Sequence, residues 1–208
     1  MRIDVISDTV CPWCFIGKRR LERALARRPG LEATVAWHPF QLNPDMPEGG
    51  RQRGEYLRSK FGGAAAAARI YAEIDAAGAD LGIDFDFDAI AVTPNTVDSH
   101  RLIRWAGAED KQDAVVEALF RCYFIDGADI GDRRVLAAAA AGCGMDGAAI
   151  KARLAGDSDR AAIVAAAAQA LAQGVSGVPC FIVESKYVVS GAQDPDRFVA
   201  LFDALAAA

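Results

Sequence analysis

The first 43 residues constrain the fold more than any other part of the chain. A short apolar run around Ile3 and Val5 reads as a strand, Pro12 to about Arg28 as a helix, and Thr34-Val35-Ala36-Trp37-His38-Pro39-Phe40 as a second strand. A strand, a helix and a strand in so short a span imply a parallel pair joined by a crossover helix. Pro12 suits the first helical turn, where its missing N–H would be unpaired in any case. Cys14, Leu21 and Leu25 fall on one helix face, while Lys18, Arg19, Arg20, Arg23 and Arg27 fill the rest. That basic run, continuing to Arg28, is expected to be a solvated face. Pro29-Gly30 ends the helix, and Pro39 places the second strand's end near a sheet edge.

From Asn43 the pattern changes. Pro44, Pro47, Gly49 and Gly50 form a linker, and helical periodicity follows near 51–61, 64–79, 96–107, 110–126, 132–143, 146–155 and 158–173. Asn95 with Asp98 three residues on, Asp132 and Asp146 stand where N-caps belong. Gly107, Gly144, Gly156 and Gly174 stand where helices end. β character returns in Pro179-Cys180-Phe181-Ile182-Val183 and Tyr187-Val188-Val189, with Glu184-Ser185-Lys186 as the hairpin turn. Asp194-Pro195 opens a last helix, Asp196 to Leu205. The reading is an α/β chain: β-α-β, a large all-helical insertion, then α-β-β-α. The β-α-β and α-β-β-α parts, residues 1–43 and about 158–208, form one domain and 44–157 an inserted helical domain.

Composition narrows the function. Of 208 residues, 52% are hydrophobic and 25% charged, a globular balance, and alanine runs such as Ala137–Ala141 favour closely packed helices. No stretch approaches the roughly 20 apolar residues of a membrane span, so no membrane partner is expected. The net charge of −5 argues against a nucleic-acid partner. Asp4 and Asp8 interrupt the N-terminus, which does not read as a secretory signal, so a cytoplasmic location is expected. Five cysteines, an odd number, are no disulfide framework there.

Cys11-Pro12-Trp13-Cys14 carries the chemistry. The i, i+3 spacing puts both sulfurs on the first turn of one helix, close enough to bond. Cys11 falls at the helix N-terminus, where unpaired N–H groups favour a thiolate, and Cys14 lies deeper as the resolving thiol. One sulfur forms a mixed disulfide and the second releases it. The alternative is half of a zinc site, which needs a second ligand pair. Cys122, Cys143, Cys180, His38 and His100 are all isolated, so redox chemistry is preferred and no metal is expected. Val178-Pro179, after Gly174-Val175-Ser176-Gly177, suggests a special turn before an internal strand, for which a cis peptide is one solution.

With these motifs in view, the chain resembles the DsbA-like branch of the thioredoxin superfamily, and most closely its FrnE-like dithiol oxidoreductases. Trp37-His38-Pro39-Phe40-Gln41-Leu42-Asn43-Pro44, Asn95-Thr96, His100-Arg101-Leu102, Leu119-Phe120, Tyr123-Phe124 and Ser190-Gly191-Ala192-Gln193 carry the resemblance along nearly the whole chain. It implies a thioredoxin fold and thiol–disulfide exchange or isomerisation on peptide or small-molecule thiols and disulfides. Pro179 would be cis and abut the dithiol, and the Val178 backbone would pair with a bound peptide like an added strand. No cofactor is required; glutathione is a candidate thiol co-substrate, and a homodimer is compatible with the sequence. A cytosolic glutathione poise would hold a strong oxidant reduced, so either direction of electron flow fits.

A second reading follows from relatives of the same architecture, 2-hydroxychromene-2-carboxylate isomerases and kappa-class glutathione transferases. These typically carry a lone serine where Cys11 stands. They bind glutathione with the residue before the cis-proline and a segment matching Gly191-Ala192-Gln193-Asp194, and a helix N-terminus there suits a carboxylate. The Cys11/Cys14 pair argues against non-redox isomerisation. A redox-inert binding module is a third reading.

The other candidates read as packing or surface. Alternation turns Cys180 away from Pro179 and into the core, and Cys122 and Cys143 fall within inserted helices. His100 is either a substrate-binding or proton-transfer group in a cleft or, preferably, a satisfied histidine among helices. Trp13 and Pro12 flank the dithiol, with Trp13 expected to be exposed for substrate contact. Asp84-Phe85-Asp86-Phe87-Asp88 resembles a calcium loop, but Ala89 and Asn95 replace its glycine and glutamate, leaving an extended segment with aromatics inward.

Overall fold

A computed structural model describes residues 1–207. β1 (Arg2–Ser7), α1 (Pro12–Ala26) and β2 (Thr34–Pro39) form the crossover unit, with β1 and β2 parallel from Arg2 against Thr34 to Ser7 against Pro39. The other end of the chain completes the sheet. β5 (Cys180–Val183) runs antiparallel to β1 with Cys180 opposite Ile6, and β6 (Tyr187–Ser190) is antiparallel to β5. The order is β2-β1-β5-β6, flanked by α8 (Arg160–Ala172) and α9 (Pro195–Ala206).

Side-chain alternation assigns each face of the sheet. Ile3, Val5, Phe181, Val183 and Val189 enter the main core with Phe198 and Phe202 of α9. Ile6 and Cys180 point the other way, onto Phe40 and Ala170 of α8. Between β2 and α8 come β3 (Arg51–Gln52), α2 (Arg53–Phe61), α3 (Ala64–Ala79), β4 (Val92–Thr93), α4 (Val97–Gly107), α5 (Gln112–Phe124), α6 (Arg133–Gly142) and α7 (Gly147–Ala155). Periodicity places every one of these helices. The β3–β4 pair is an addition, Arg51 opposite Thr93 and Gln52 opposite Val92; two residues per strand leave no period to read. Phe15 of α1 stacks on Phe120 of α5 at 5.2 Å between centroids and meets Phe85 edge-on at 6.0 Å, joining the inserted helices to the sheet core.

Two local expectations are corrected. Asp132 and Asp146 cap α6 and α7 through the N–H groups of Arg134 and Ala149, but the Asn95–Asp98 pair is not a capping box. Asn95 Oδ1 takes the Val97 N–H at 2.9 Å, while the Asp98 carboxylate is taken by Arg101, Arg133 and Arg160 at 2.8, 3.2 and 2.9 Å. Three guanidiniums outcompete a backbone N–H for one carboxylate.

Lys18 does not belong to a solvated face. Its side chain is 3% exposed and its ammonium pairs with Glu22, with Asp113 at 3.0 Å and with Glu117 at 3.5 Å. Burial alone pulls this ammonium down; the bond to Glu22 and the charges of Asp113 and Glu22 outweigh it and hold it above the usual lysine range. Asp113 and Glu117 lie on α5, so the covering helix is invisible to the periodicity of α1.

The β5–β6 hairpin turns through two successive left-handed residues, Glu184 (φ 53°) and Ser185 (φ 55°). Glu184 earns its place by accepting the Arg2 N–H at 2.6 Å. Ser185 carries only the steric cost, so Ser185→Gly is expected to stabilise the protein by about 0.5–1 kcal/mol, seen as a higher urea midpoint. No helix among the described residues is long and apolar enough to cross a membrane.

Candidate active site

β1 ends at Ser7, the polar residues Asp8 and Thr9 follow it, and the chain then turns into α1. The Cys11 N–H donates to Asp8 O and the Cys14 N–H to Cys11 O, both at 3.0 Å. Cys11 is the N-cap in extended conformation (φ −97°, ψ 111°), and Pro12 occupies the first helical turn. No side chain caps this end; Pro12 has no N–H and the Cys14 N–H is spent on Cys11 O, so the Trp13 N–H and the helix dipole are what this end offers the cysteine sulfur. Both thiols are free; Cys11 is 5% exposed and Cys14 fully buried. Cys11 at the N-cap and Cys14 in the first turn stand on the same end of α1. Burial first, then the bond to Cys11 and its charge, push the Cys14 thiol well above its ordinary range. The Asp8 N–H and the Ser7 hydroxyl pull it the other way and lose.

Cys11 Sγ donates to Val178 O at 3.6 Å, bringing together residues at opposite ends of the chain. The Val178–Pro179 peptide is cis, and Pro179 O accepts the Gly191 N–H at 2.8 Å. Beside Val178 a cavity of about 360 Å³ opens between the Gln173–Gly177 loop and β5–β6. Val175, Val178, Ile182 and Val188 give it apolar walls, and no charged side chain lines it.

Under the dithiol turn lies a buried polar layer. Asp8 Oδ2 takes the Leu42 N–H at 2.7 Å, while Oδ1 has no hydrogen-bond partner among the described residues and sits 3.4 Å from His100 Nε2. His100 Nε2 lies 3.0 Å from Phe40 O, which only accepts, so this nitrogen carries the proton. The Thr9 and Ser99 hydroxyls meet at 2.8 Å. His100 is therefore an interior group tying α4 to the dithiol turn and to the end of β2, and it faces no cleft. Trp13 is half-buried against the core rather than exposed; Pro12 is half-exposed beside it.

The corner at α9 also differs from expectation. The Asp194 carboxylate accepts the Asp196 N–H at 2.9 Å, so the helix N-terminus offered to a ligand carboxylate already holds one. The Gln193 amide donates to Ser190 O at 2.8 Å. Cys180 faces α8, its thiol raised by burial against an opposing bond to Ser190. Cys122 and Cys143 are half-buried, and burial raises both thiols. Among the described residues no three His, Cys, Asp or Glu side chains gather as metal ligands.

Ser7, Asp8, Gly17 and Arg20 were not singled out from sequence. A run of three polar residues closing an apolar strand, and a glycine inside a helix, are the signals that mark the first three. Arg20 gave none, since its partner, Ala192 O, comes from the far end of the chain.

A mixed sheet with a dithiol at the mouth of α1 and a cis-proline turn against it defines a thioredoxin-fold protein. Residues 2–203 match the DSBA-like thioredoxin domain, and the chain belongs to that family. It is similar to the probable DsbA oxidoreductase SCO1869 from Streptomyces coelicolor, at 30% identity and a TM-score of 0.86 over 97% of this chain and 88% of that one. The uncharacterized protein YwbO of Bacillus subtilis (strain 168) is 27% identical over 206 residues, covering 95% and 94% of the two chains. The cytosolic disulfide reductase DsbM from Pseudomonas aeruginosa, solved with GSH, shares the fold at 20% identity and a TM-score of 0.71 over 100% of both chains.

Proposed function

We propose that the protein is a dithiol–disulfide oxidoreductase acting through Cys11 and Cys14 on peptide or small-molecule disulfides. The observation that carries this reading is the placement of Cys11: at the N-cap of α1 with Cys14 one turn on, and with the Val178 carbonyl 3.6 Å from its sulfur. The Cys11 thiolate attacks one sulfur of a substrate disulfide; that S–S bond breaks and one substrate thiolate leaves. The Cys14 thiolate then attacks Cys11 Sγ, releasing the second substrate thiol and leaving a Cys11–Cys14 disulfide. Two electrons have passed from enzyme to substrate, and the reverse sequence oxidises a dithiol. Val178 offers its backbone to an extended substrate, and the uncharged cavity beside it suits apolar peptide side chains.

Glutathione is proposed as the thiol that returns the enzyme disulfide to the dithiol, in a reducing, cytoplasmic setting of the kind named for DsbM. The glutathione-dependent isomerase reading is weaker on two counts. Cysteines stand at both 11 and 14, and Asp194 fills the corner that reading assigns to a glutathione carboxylate. The test is turnover of a model protein disulfide, with and without glutathione, by wild type and Cys11→Ser. Turnover that disappears in Cys11→Ser is the expected result. A protein that turns over no disulfide, or that transforms a non-disulfide substrate with glutathione regardless of Cys14→Ser, refutes the proposal.

A further inference from the structure

Glycine weakens a helix interior relative to alanine, so a buried glycine in α1 calls for a reason. Gly17 lies one turn beyond Cys14, buried and in ordinary helical conformation. What it supplies is room rather than backbone freedom. A Cβ there would stand 2.8 Å from Pro179 Cγ, 3.1 Å from Phe181 Cζ and 3.4 Å from Pro179 Cβ. Neither neighbour yields easily. Pro179 is a closed ring whose carbonyl is held by the Gly191 N–H at 2.8 Å. Phe181 is fully buried, with its ring 4.9 Å from that of Phe198.

One turn further along α1, Arg20 donates to Ala192 O, fastening the loop that follows Gly191 onto the same helix. We infer that Gly17 is a positioning residue, with Arg20 as its counterpart. Gly17 sets how closely the Val178–Pro179 turn seats on α1, Arg20 holds the flanking loop down, and together they fix the 3.6 Å approach of Val178 O to Cys11 Sγ. The inference rests on the dithiol-exchange reading for its catalytic meaning, although the placement can be tested without turnover.

A methyl group at position 17 moves the turn outward and takes the Val178 carbonyl with it. Two effects follow with opposite signs. The Cys11 thiol loses its acceptor and a repelling oxygen moves off, which favours the thiolate. A peptide docking on the Val178 backbone loses its alignment with the sulfur. Simple loss of fold would also expose Cys11, but it would expose the fully buried Cys14 with it, so labelling that rises at Cys11 while Cys14 stays protected marks displacement of the turn.

The experiment uses the whole protein as Gly17→Ala, with Gly142→Ala as control, since a Cβ at Gly142 meets nothing within 4 Å. Iodoacetamide labelling of Cys11 is followed against pH by peptide mass spectrometry, and kcat and KM are measured on a peptide disulfide. Gly17→Ala is expected to move the labelling midpoint to lower pH and to label about three- to tenfold faster below it. It is expected to lower kcat/KM about tenfold, mostly through KM. Gly142→Ala should match wild type. A wild-type labelling profile in Gly17→Ala overturns the inference. If that variant does not fold, Arg20→Met, which frees the loop without adding bulk, should shift both readouts in the same directions, and unchanged values there overturn it equally. A wild type that labels but turns over no disulfide sinks the exchange reading instead, and the labelling shift still decides the placement.

Discussion

Cys14→Ser is expected to halt the exchange at its covalent midpoint and accumulate a mixed disulfide between Cys11 and substrate, stable enough to isolate without reductant. Cys11→Ser is expected to form none and to lose disulfide turnover by about a thousandfold or more, because the hydroxyl is a far weaker nucleophile. The asymmetry follows from where the sulfurs sit. Cys11 lies at the uncapped mouth of α1 against Val178, whereas Cys14 is fully buried and reaches only groups of the protein itself. In the wild type, release of the mixed disulfide needs the Cys14 thiolate, and burial holds that proton on. Once Cys11 is bonded to substrate its share of the upward push is gone, leaving desolvation as the main obstacle. Release should therefore quicken as pH rises, read as a shorter mixed-disulfide lifetime by rapid acid quench and mass spectrometry. Equal trapping by Cys11→Ser and Cys14→Ser would overturn the assigned roles, and trapping by Cys11→Ser alone would reverse them.

Arg101→Met is expected to cost about 3–5 kcal/mol, a large part of the roughly 5–15 kcal/mol that keeps a domain folded. The Arg101 side chain is completely buried. Its Nε donates to Ser158 O at 2.7 Å, its Nη2 to Gly156 O at 2.6 Å and Arg153 O at 3.1 Å, and its Nη1 to Asp98 Oδ1 at 2.8 Å. One guanidinium thus ties α4 to the carbonyls at the end of α7 and the turn into α8, stacked 5.0 Å from the Trp105 centroid. Methionine fills similar volume but takes the charged donor away from all of those carbonyls and from the nearly buried Asp98 carboxylate. Arg101→Lys should not restore stability, because three donors on a point charge cannot span this spread of acceptors. Urea unfolding followed by circular dichroism measures both variants. A methionine variant within about 1 kcal/mol of wild type would show the clamp to be dispensable.

The local elements were legible because each is written in short-range chemistry. Pro12 opens α1, Asp132 and Asp146 cap their helices, and the hairpin falls at Glu184-Ser185-Lys186. The strand order was legible through resemblance, as was the approach of the Val178–Pro179 turn to Cys11, seen in the Val178 carbonyl. The readings that changed are those whose partner arrives from elsewhere. Lys18 looked solvated until α5 covered it, Asp98 looked like a cap until Arg133 and Arg160 reached it, and Asp194 spends the helix end that a ligand was expected to use.

The amino-acid sequence by itself determined a strand leading into a helix that carries two cysteines on its first turn, because spacing, proline and capping act within a few residues. Only the tertiary structure decided what surrounds those sulfurs. The Val178 carbonyl, the Asp8–His100 layer and the room at Gly17 are contacts between segments far apart in the chain. Such contacts are fixed by packing, and packing leaves no local pattern to read.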